Sequence, residues 1–359
     1  DNKEELDKFC VEFSKKLLGQ IVFLYFLQKK GWLGVQKDET GRFKDWGTGP
    51  KDFMRRLFDK EYGAYNNFFN DTLEPLFYNT LAVKRSDDYS DKFNCKIPFL
   101  NGGLFEPLDE YDWMNTNIYL DDKIFRDIFD RFDEFNFTVK EDEPLEKEVA
   151  VDPEMLGKVF ENLLEVSDRK SKGAFYTPRE IVHYMCQQSL INYLETNTDI
   201  KREDIEKFIQ MGDLALDQTI KAMAHKKKYH GNTYDIDSTY VIPKSIEKNY
   251  ELIDNLLRDI KIVDPAVGSG AFPVGMMNEI VKARSILSIF FEKERGVYEL
   301  KRECVENSLY GVDIMRSAVD ICQLRFWLSL IVDEVDKNKV KPLPNLDNKI
   351  MCGNSFRII

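Results

Sequence analysis

Metal-ligating residues are scarce and scattered in this chain. It has three histidines, and its six cysteines, at positions 10, 95, 186, 304, 322 and 352, form no C-x-x-C pair and do not cluster with the histidines. A structural zinc site needs closely spaced thiolate and imidazole ligands, so none is expected. Isolated thiols fit a reducing compartment better than secretion, which makes a cytoplasmic location the expectation. Long apolar runs are missing too. The longest, Ile21-Val22-Phe23-Leu24-Tyr25-Phe26-Leu27, falls far short of the roughly 20 residues that cross a bilayer, and no cleavable signal is evident. Membrane association is not expected. The twelve prolines are all isolated, with no Pro-Pro dipeptide.

What remains is a globular composition. With 359 residues, 43% of them apolar, the chain can bury a substantial core and divides naturally into two or three domains. Its net charge of −12 argues against nonspecific coating of nucleic acid, where Lys and Arg contacts to phosphates dominate. A basic cleft within an acidic chain remains compatible with DNA binding. The clusters Lys170-Ser171-Lys172 and Lys226-Lys227-Lys228 either contribute to such a cleft or are solvated surface, as charge runs usually are.

Three regions are expected. Residues 1–145 read as a mostly α-helical N-terminal domain: Leu6, Phe9, Phe13, Leu17, Ile21 and Leu24 recur at three- and four-residue steps, which places them on one helical face. The aromatic stretch from Tyr62 to Phe69 could stack on unpaired bases or pack in a core. Acidic residues at Glu141-Asp142-Glu143-Pro144 mark a boundary. Residues 146–258 form a helix-rich connector, with a polar loop from His230 to Asp237 and a short helix from Tyr250 to Leu257. From 259 to 359, strand and helix signals alternate, predicting a parallel sheet covered by helices, with the apolar helix around Ala318–Leu328 as core against it.

The most informative stretch is Asp264-Pro265-Ala266-Val267-Gly268-Ser269-Gly270-Ala271-Phe272, which joins the β-branched run Ile260–Val263 to a helical pattern through two close glycines. In an open α/β sheet, ligands bind beyond the carboxyl ends of strands, where glycines admit close backbone approach and a helix start offers N–H groups. A nucleotide-like cofactor fits there. The dinucleotide fingerprint is broken, because Pro273 replaces the third glycine and the next strand ending in an acid, Leu309–Asp313, lies too far on. A P-loop is excluded, since Ala271 and Phe272 follow Gly270 in place of Lys and Ser/Thr.

That loop resembles motif I of the S-adenosylmethionine (SAM) dependent DNA amino-methyltransferases, particularly those acting on adenine N6. Gly173-Ala174-Phe175-Tyr176-Thr177-Pro178 resembles their motif X, Gly311-Val312-Asp313-Ile314 their motif II, and Gly353-Asn354-Ser355-Phe356 their motif III. The order is that of the subgroup with motif X before motif I. Phe26–Gly34, Ile97–Phe105 and Val151–Leu164 are similar to the segments that precede the methyltransferase in type IIG restriction-modification enzymes. The resemblance implies a helical N-terminal domain followed by a Rossmann-like α/β methyltransferase domain with a partial parallel sheet. It also implies SAM as cofactor and double-stranded DNA as the partner of the intact protein. RNA or protein as methyl acceptor, and a noncatalytic module that binds SAM or a partner, stand as alternatives.

The resemblance implies roles residue by residue. Thr177-Pro178-Arg179-Glu180 has a capping-box pattern with proline at the first helical position, so a helix should start there and its N-terminus could attract the methionine carboxylate of SAM, beside Phe175 and Tyr176. Asp264, followed by Pro265 and Ala266, would accept the cofactor's ammonium. Gly268, Ser269 and Gly270 would leave room beside it, with Phe272 opening the helix. Asp313 would take the ribose hydroxyls and Ile314 would cover the adenine. Asn354, with Ser355 and Phe356, would face the adenine edge with one donor and one acceptor.

Methylating an exocyclic amine requires, in that family, an Asn- or Asp-Pro-Pro-aromatic motif acting on a flipped base. No Pro-Pro exists here, so no catalytic residue is assigned. That motif and a target-recognition domain are expected beyond Ile359, and this chain alone is expected to be inactive. Short Asp/Glu-x-Lys triplets such as Glu299-Leu300-Lys301 do not make a nuclease site.

Overall fold

The structure is a computed structural model that describes residues 2–100, 103–108, 111–135, 177–212, 214, 241–292, 295–332, 334 and 336–355. In chain order, the described elements begin with α1 (Asn2–Lys30), α2 (Phe53–Phe58), π-helical stretches at Phe69–Leu73 and Pro75–Leu81, β1 (Tyr89–Ser90), β2 (Cys95–Lys96) and α3 (Asp122–Asp133). Next come α4 (Arg179–Asn197), α5 (Arg202–Gln210), α6 (Lys244–Lys248), α7 (Tyr250–Asp259), β3 (Ile262–Asp264) and α8 (Ala271–Leu287). The last are α9 (Val297–Asn307), β4 (Leu309–Asp313), α10 (Arg316–Val332) and β5 (Ile350–Cys352). The architecture is mixed, mostly helical with a small parallel sheet. No described helix is long and apolar enough to cross a membrane.

The chain divides into two compact units, Asp1–Glu165 with Met315–Cys352, and Val166–Ile314 with Gly353–Ile359. In the first, α1 buries the predicted face from Phe13 onward: Ile21 and Leu24 are fully buried. Leu6 departs from that expectation at 59% exposed. The other wall is α10, whose Cys322 and Leu328 are fully buried. This helix packs on α1 as well as β5, so it is core between helix and strand rather than against a sheet alone. Lys30 Nζ donates to the carbonyls of Val332 and Glu334, both at 2.8 Å, satisfying acceptors that the end of α10 leaves open.

Aromatic packing fills the rest of this unit. The rings of Phe58, Phe68, Phe125 and Phe129 lie 5.1–5.8 Å apart in edge contacts, the arrangement the ring quadrupole favours. Tyr65, Phe68 and Phe69 are buried, which makes the aromatic stretch at 62–69 core and not a platform for bases. Asp121 caps α3 through the Lys123 amide at 2.9 Å.

In the second unit, β3 and β4 pair in parallel with Ile262 opposite Leu309, Val263 opposite Tyr310 and Asp264 opposite Gly311. A parallel pair needs a crossover, and α8 and α9 supply it. The short helix expected to feed the first strand is α7. Three helices are tied by a buried charge network: Arg284 on α8, 3% exposed, binds Asp254 on α7 at 3.0 Å and Glu303 on α9 at 2.7 Å. Arg295 adds a second contact to Asp254 at 2.8 Å. A desolvated carboxylate with this many donors is compensated, and loss of Arg284 would leave it with the Arg295 contact alone to offset its burial.

Candidate functional site

The glycine loop turns where the sequence predicts it. Asp264 ends β3, and its Oδ1 accepts the Ala266 amide at 3.0 Å, an Asx turn that sends the chain out of the sheet past Pro265. Val267 N then donates to Val312 O at 3.0 Å, holding the loop to the neighbouring strand. Gly268 (φ +52°) and Gly270 (φ +87°) both take left-handed backbone angles, which glycine adopts without the penalty a Cβ brings. Gly270 caps α8, while Ser269 is buried. Phe272 sits half-buried in the first turn of that helix.

Asp313 organises the site from the adjacent strand. Its Oδ2 accepts the Gly268 amide at 2.9 Å, and its backbone carbonyl accepts the Gly353 amide at 2.8 Å. One residue thus anchors the loop after β3 and the Gly353-Asn354-Ser355 turn. Ser355 closes the ring by donating its hydroxyl to Pro265 O at 2.7 Å. Motifs separated by about ninety positions are brought together by three short hydrogen bonds. Ile314, next to Asp313, is 66% exposed.

Two carboxylates share this corner. Burial pushes the Asp264 pKa up, the amide of Ala266 pulls it down, and the charge of Asp313 raises it further. The mutual repulsion of the two carboxylates suits a cationic ligand group. A Cβ at Gly268 would meet nothing within 4 Å, so open space lies directly beside the loop backbone. Glycine is therefore required there by backbone angle, and the space beside it belongs to whatever the loop faces. A ligand carrying an ammonium and donor hydroxyls fits these residues.

Helix α4 begins one residue later than expected. Pro178, with φ −55° and ψ 144°, is the N-cap, and its carbonyl accepts the amides of Ile181 and Val182 at 3.0 and 3.1 Å. The extended ψ puts proline outside the helix, so Thr177 makes no cap and the capping box with Glu180 does not form. Phe175, Tyr176 and Phe356 lie outside the described residues, as do Gly173, Ala174, the lysine clusters at 170–172 and 226–228, the segment 151–164 and the loop 230–237.

A polar latch that the motifs do not show joins α4 to α8. Glu279, 4% exposed, receives His183 Nδ1 at 2.6 Å and Gln187 Nε2 at 3.1 Å. The helices cross closely, since a Cβ on Gly275 would fall 2.6 Å from Val182 Cγ1. A lone glycine inside an apolar helix pattern was the available signal for this approach. The latch fixes the helix that follows Thr177-Pro178 against the helix that follows the glycine loop. Among the described residues no cluster of His, Cys, Asp and Glu could hold a metal ion.

The chain is similar along nearly its whole length to two known proteins. It is 28% identical over 368 aligned positions, covering 99% of the chain, to a protein of Methanocaldococcus jannaschii provisionally named as a type II restriction enzyme and methyltransferase. It also shares its fold, at a TM-score of 0.53 and 15% identity over 96% of its length, with the type IIL restriction-modification enzyme MmeI solved in complex with DNA. The sequence matches no protein-family profile. The chain spans 28% of the length of the archaeal relative and 37% of that of MmeI.

Proposed function

We propose that this chain is the SAM-binding part of a site-specific adenine-N6 DNA methyltransferase of a type IIG-like restriction-modification system, built on a Rossmann-like α/β domain. The observation that carries the reading is the Gly268 amide on the Asp313 carboxylate, which sets an open glycine turn beside an acid at the end of the next strand. The likeness to a restriction enzyme and methyltransferase and to a DNA-bound restriction-modification enzyme supports it.

SAM supplies an electrophilic methyl on its sulfonium. Asp264 takes the ammonium, whose positive charge offsets the repulsion between the two carboxylates. Asp313 accepts ribose hydroxyls, as a carboxylate with about four lone-pair positions can accept several donors at once. Ile314 covers an adenine face and Asn354 reads its edge. Thr177 and Pro178, at the start of α4, bound the methionine end. In this reading these residues bind and orient the methyl donor.

Incubating the intact protein that contains this chain with labelled SAM and separate pools of DNA, RNA and protein tests the assignment. Label recovered as N6-methyladenine in DNA is the expected result. Label recovered only in RNA or protein overturns the acceptor, and DNA binding that never leads to methylation favours a noncatalytic module.

A further inference from the structure

Within the first unit, residues 35–46 and 89–96 form a small β-structured edge. Val35 bridges Lys96, Lys37 bridges Phe43, and Tyr89 pairs with Lys96. This pairing brings rings and lysines into one alternating row. Lys37 Nζ lies 4.9 Å from the Tyr89 ring and 5.0 Å from Phe43. Lys96 Nζ lies 5.4 Å from Phe43 and 4.5 Å from Trp46. Lys337 Nζ, from the turn after α10, lies 5.2 Å from Trp46. The order is Tyr89, Lys37, Phe43, Lys96, Trp46, Lys337, with every ammonium held against at least one aromatic ring.

Such a row is electrostatically expensive to build. Like charges held close repel, and a ring face returns only about 0.5–1 kcal/mol at an exposed site. Among the described residues Asp88 meets the row directly, binding Lys337, whose side chain is 11% exposed, at 3.2 Å, so Lys337 anchors the end of the row and Lys37 and Lys96 present it. Asp38, next to Lys37, is turned onto the amides of Thr40 and Arg42 at 2.8 and 3.0 Å. The whole chain carries −12, so solubility does not call for concentrated positive charge here. The rings fix the lysines in an extended line, which pre-pays the side-chain entropy that lysines otherwise lose on binding a linear polyanion.

We propose that this lysine and aromatic row is a contact surface for the phosphate backbone of duplex DNA. The proposal rests on the DNA methyltransferase reading for the choice of polyanion, and on the row itself for the place. The ammoniums of Lys37 and Lys96 replace condensed counterions at phosphates, and the rings beside them present apolar edges to the adjoining sugars.

Anisotropy titrations of the protein with a labelled mixed-sequence duplex, repeated over a series of KCl concentrations, test it. The variant is Lys37→Gln combined with Lys96→Gln and Lys337→Gln, and its partner replaces the same three lysines by arginine. Loss of the Lys37 and Lys96 contacts makes the negative slope of log K against log salt shallower by about 2, at roughly 0.9 per contact. The arginine variant should keep the wild-type slope. If the glutamine triple melts early, Lys37→Gln alone, at an exposed position, decides the matter with a slope change of about one. An unchanged slope in a folded glutamine variant overturns the surface. The same holds if that variant loses binding to polyglutamate while its DNA slope is unchanged, which identifies an acidic protein partner. Wild-type protein that binds no duplex at any salt overturns the DNA reading itself, and the surface with it.

Discussion

The Gly268 amide donates to Asp313 Oδ2 at 2.9 Å, so the loop that leaves one strand is held by the acid that ends the next. This contact spans forty-five residues of sequence and lies at the carboxyl ends of two parallel strands, where ligand sites form in α/β sheets. Gly268 holds φ +52° with open space on its Cβ side. Replacing it by alanine costs about 1–2 kcal/mol of backbone strain, a modest fall in melting temperature. The added methyl enters the space assigned to SAM, so affinity should fall more than the strain accounts for. Calorimetric titration beside a melting curve separates the two. Equal losses in both would place the cofactor elsewhere.

Asp264 links stability to pH in an unusual direction for a carboxylate. Its folded pKa is raised above 3.8, first by burial and also by Asp313. A raised acid favours the fold when protonated, so its contribution is complete below the ordinary pKa and is lost as pH rises through the folded value. Asp264→Asn should therefore raise the melting temperature at neutral pH and lose that advantage in acid. The same variant should weaken SAM binding, because the amide offers the ammonium no charge. A variant that is neither more stable nor weaker in binding contradicts the assignment.

Gly275 is where α4 and α8 meet most closely. A Cβ there would lie 2.6 Å from Val182 Cγ1, and valine is stiff at χ1. Gly275→Ala should push the helices apart, strain the His183 and Glu279 contact and cost about 1–3 kcal/mol, as overpacking typically does. Val182→Ala in the same chain should recover much of the loss by restoring room. Denaturant unfolding of the single and double variants measures both.

In the first unit, Glu74 is 3% exposed and its pKa is pushed up to about 7 by burial, although the Tyr111 hydroxyl donates to it. Its stabilising contribution is present below its ordinary value of 4.5 and disappears as pH climbs to about 7. Glu74→Gln keeps an acceptor for Tyr111 and removes the charge. It should stabilise the protein by up to about 3 kcal/mol at pH 8, at 1.36 kcal/mol per pKa unit, and by little at pH 4. Equal stability at both pH values would show that Glu74 is solvated.

The sequence carried the loop and strand well, because Asp264, Gly268, Gly270 and Asp313 obey local rules: strand ends, positive φ and helix starts. It located α7, β3 and β4 closely. The capping box failed because Thr177-Pro178 satisfies the pattern whether proline stands inside or just outside the helix, and only ψ decides. Leu6 was misplaced because periodicity marks a helix face and not which positions on that face are covered. The latch from His183 to Glu279 was invisible, since two polar residues ninety-six positions apart have no period to reveal them. The lysine and ring row was hidden for the same reason: Lys37, Lys96 and Lys337 meet only after the chain has folded.

The central claim is that this glycine turn and Asp313 bind SAM. Isothermal titration of the protein with SAM, repeated on Asp313→Ala, tests it most directly. The account predicts saturable one-to-one binding by the wild type and at least a tenfold weakening in the variant, about 1.4 kcal/mol or more. No binding by the wild type, or undiminished affinity in a folded Asp313→Ala, would contradict it.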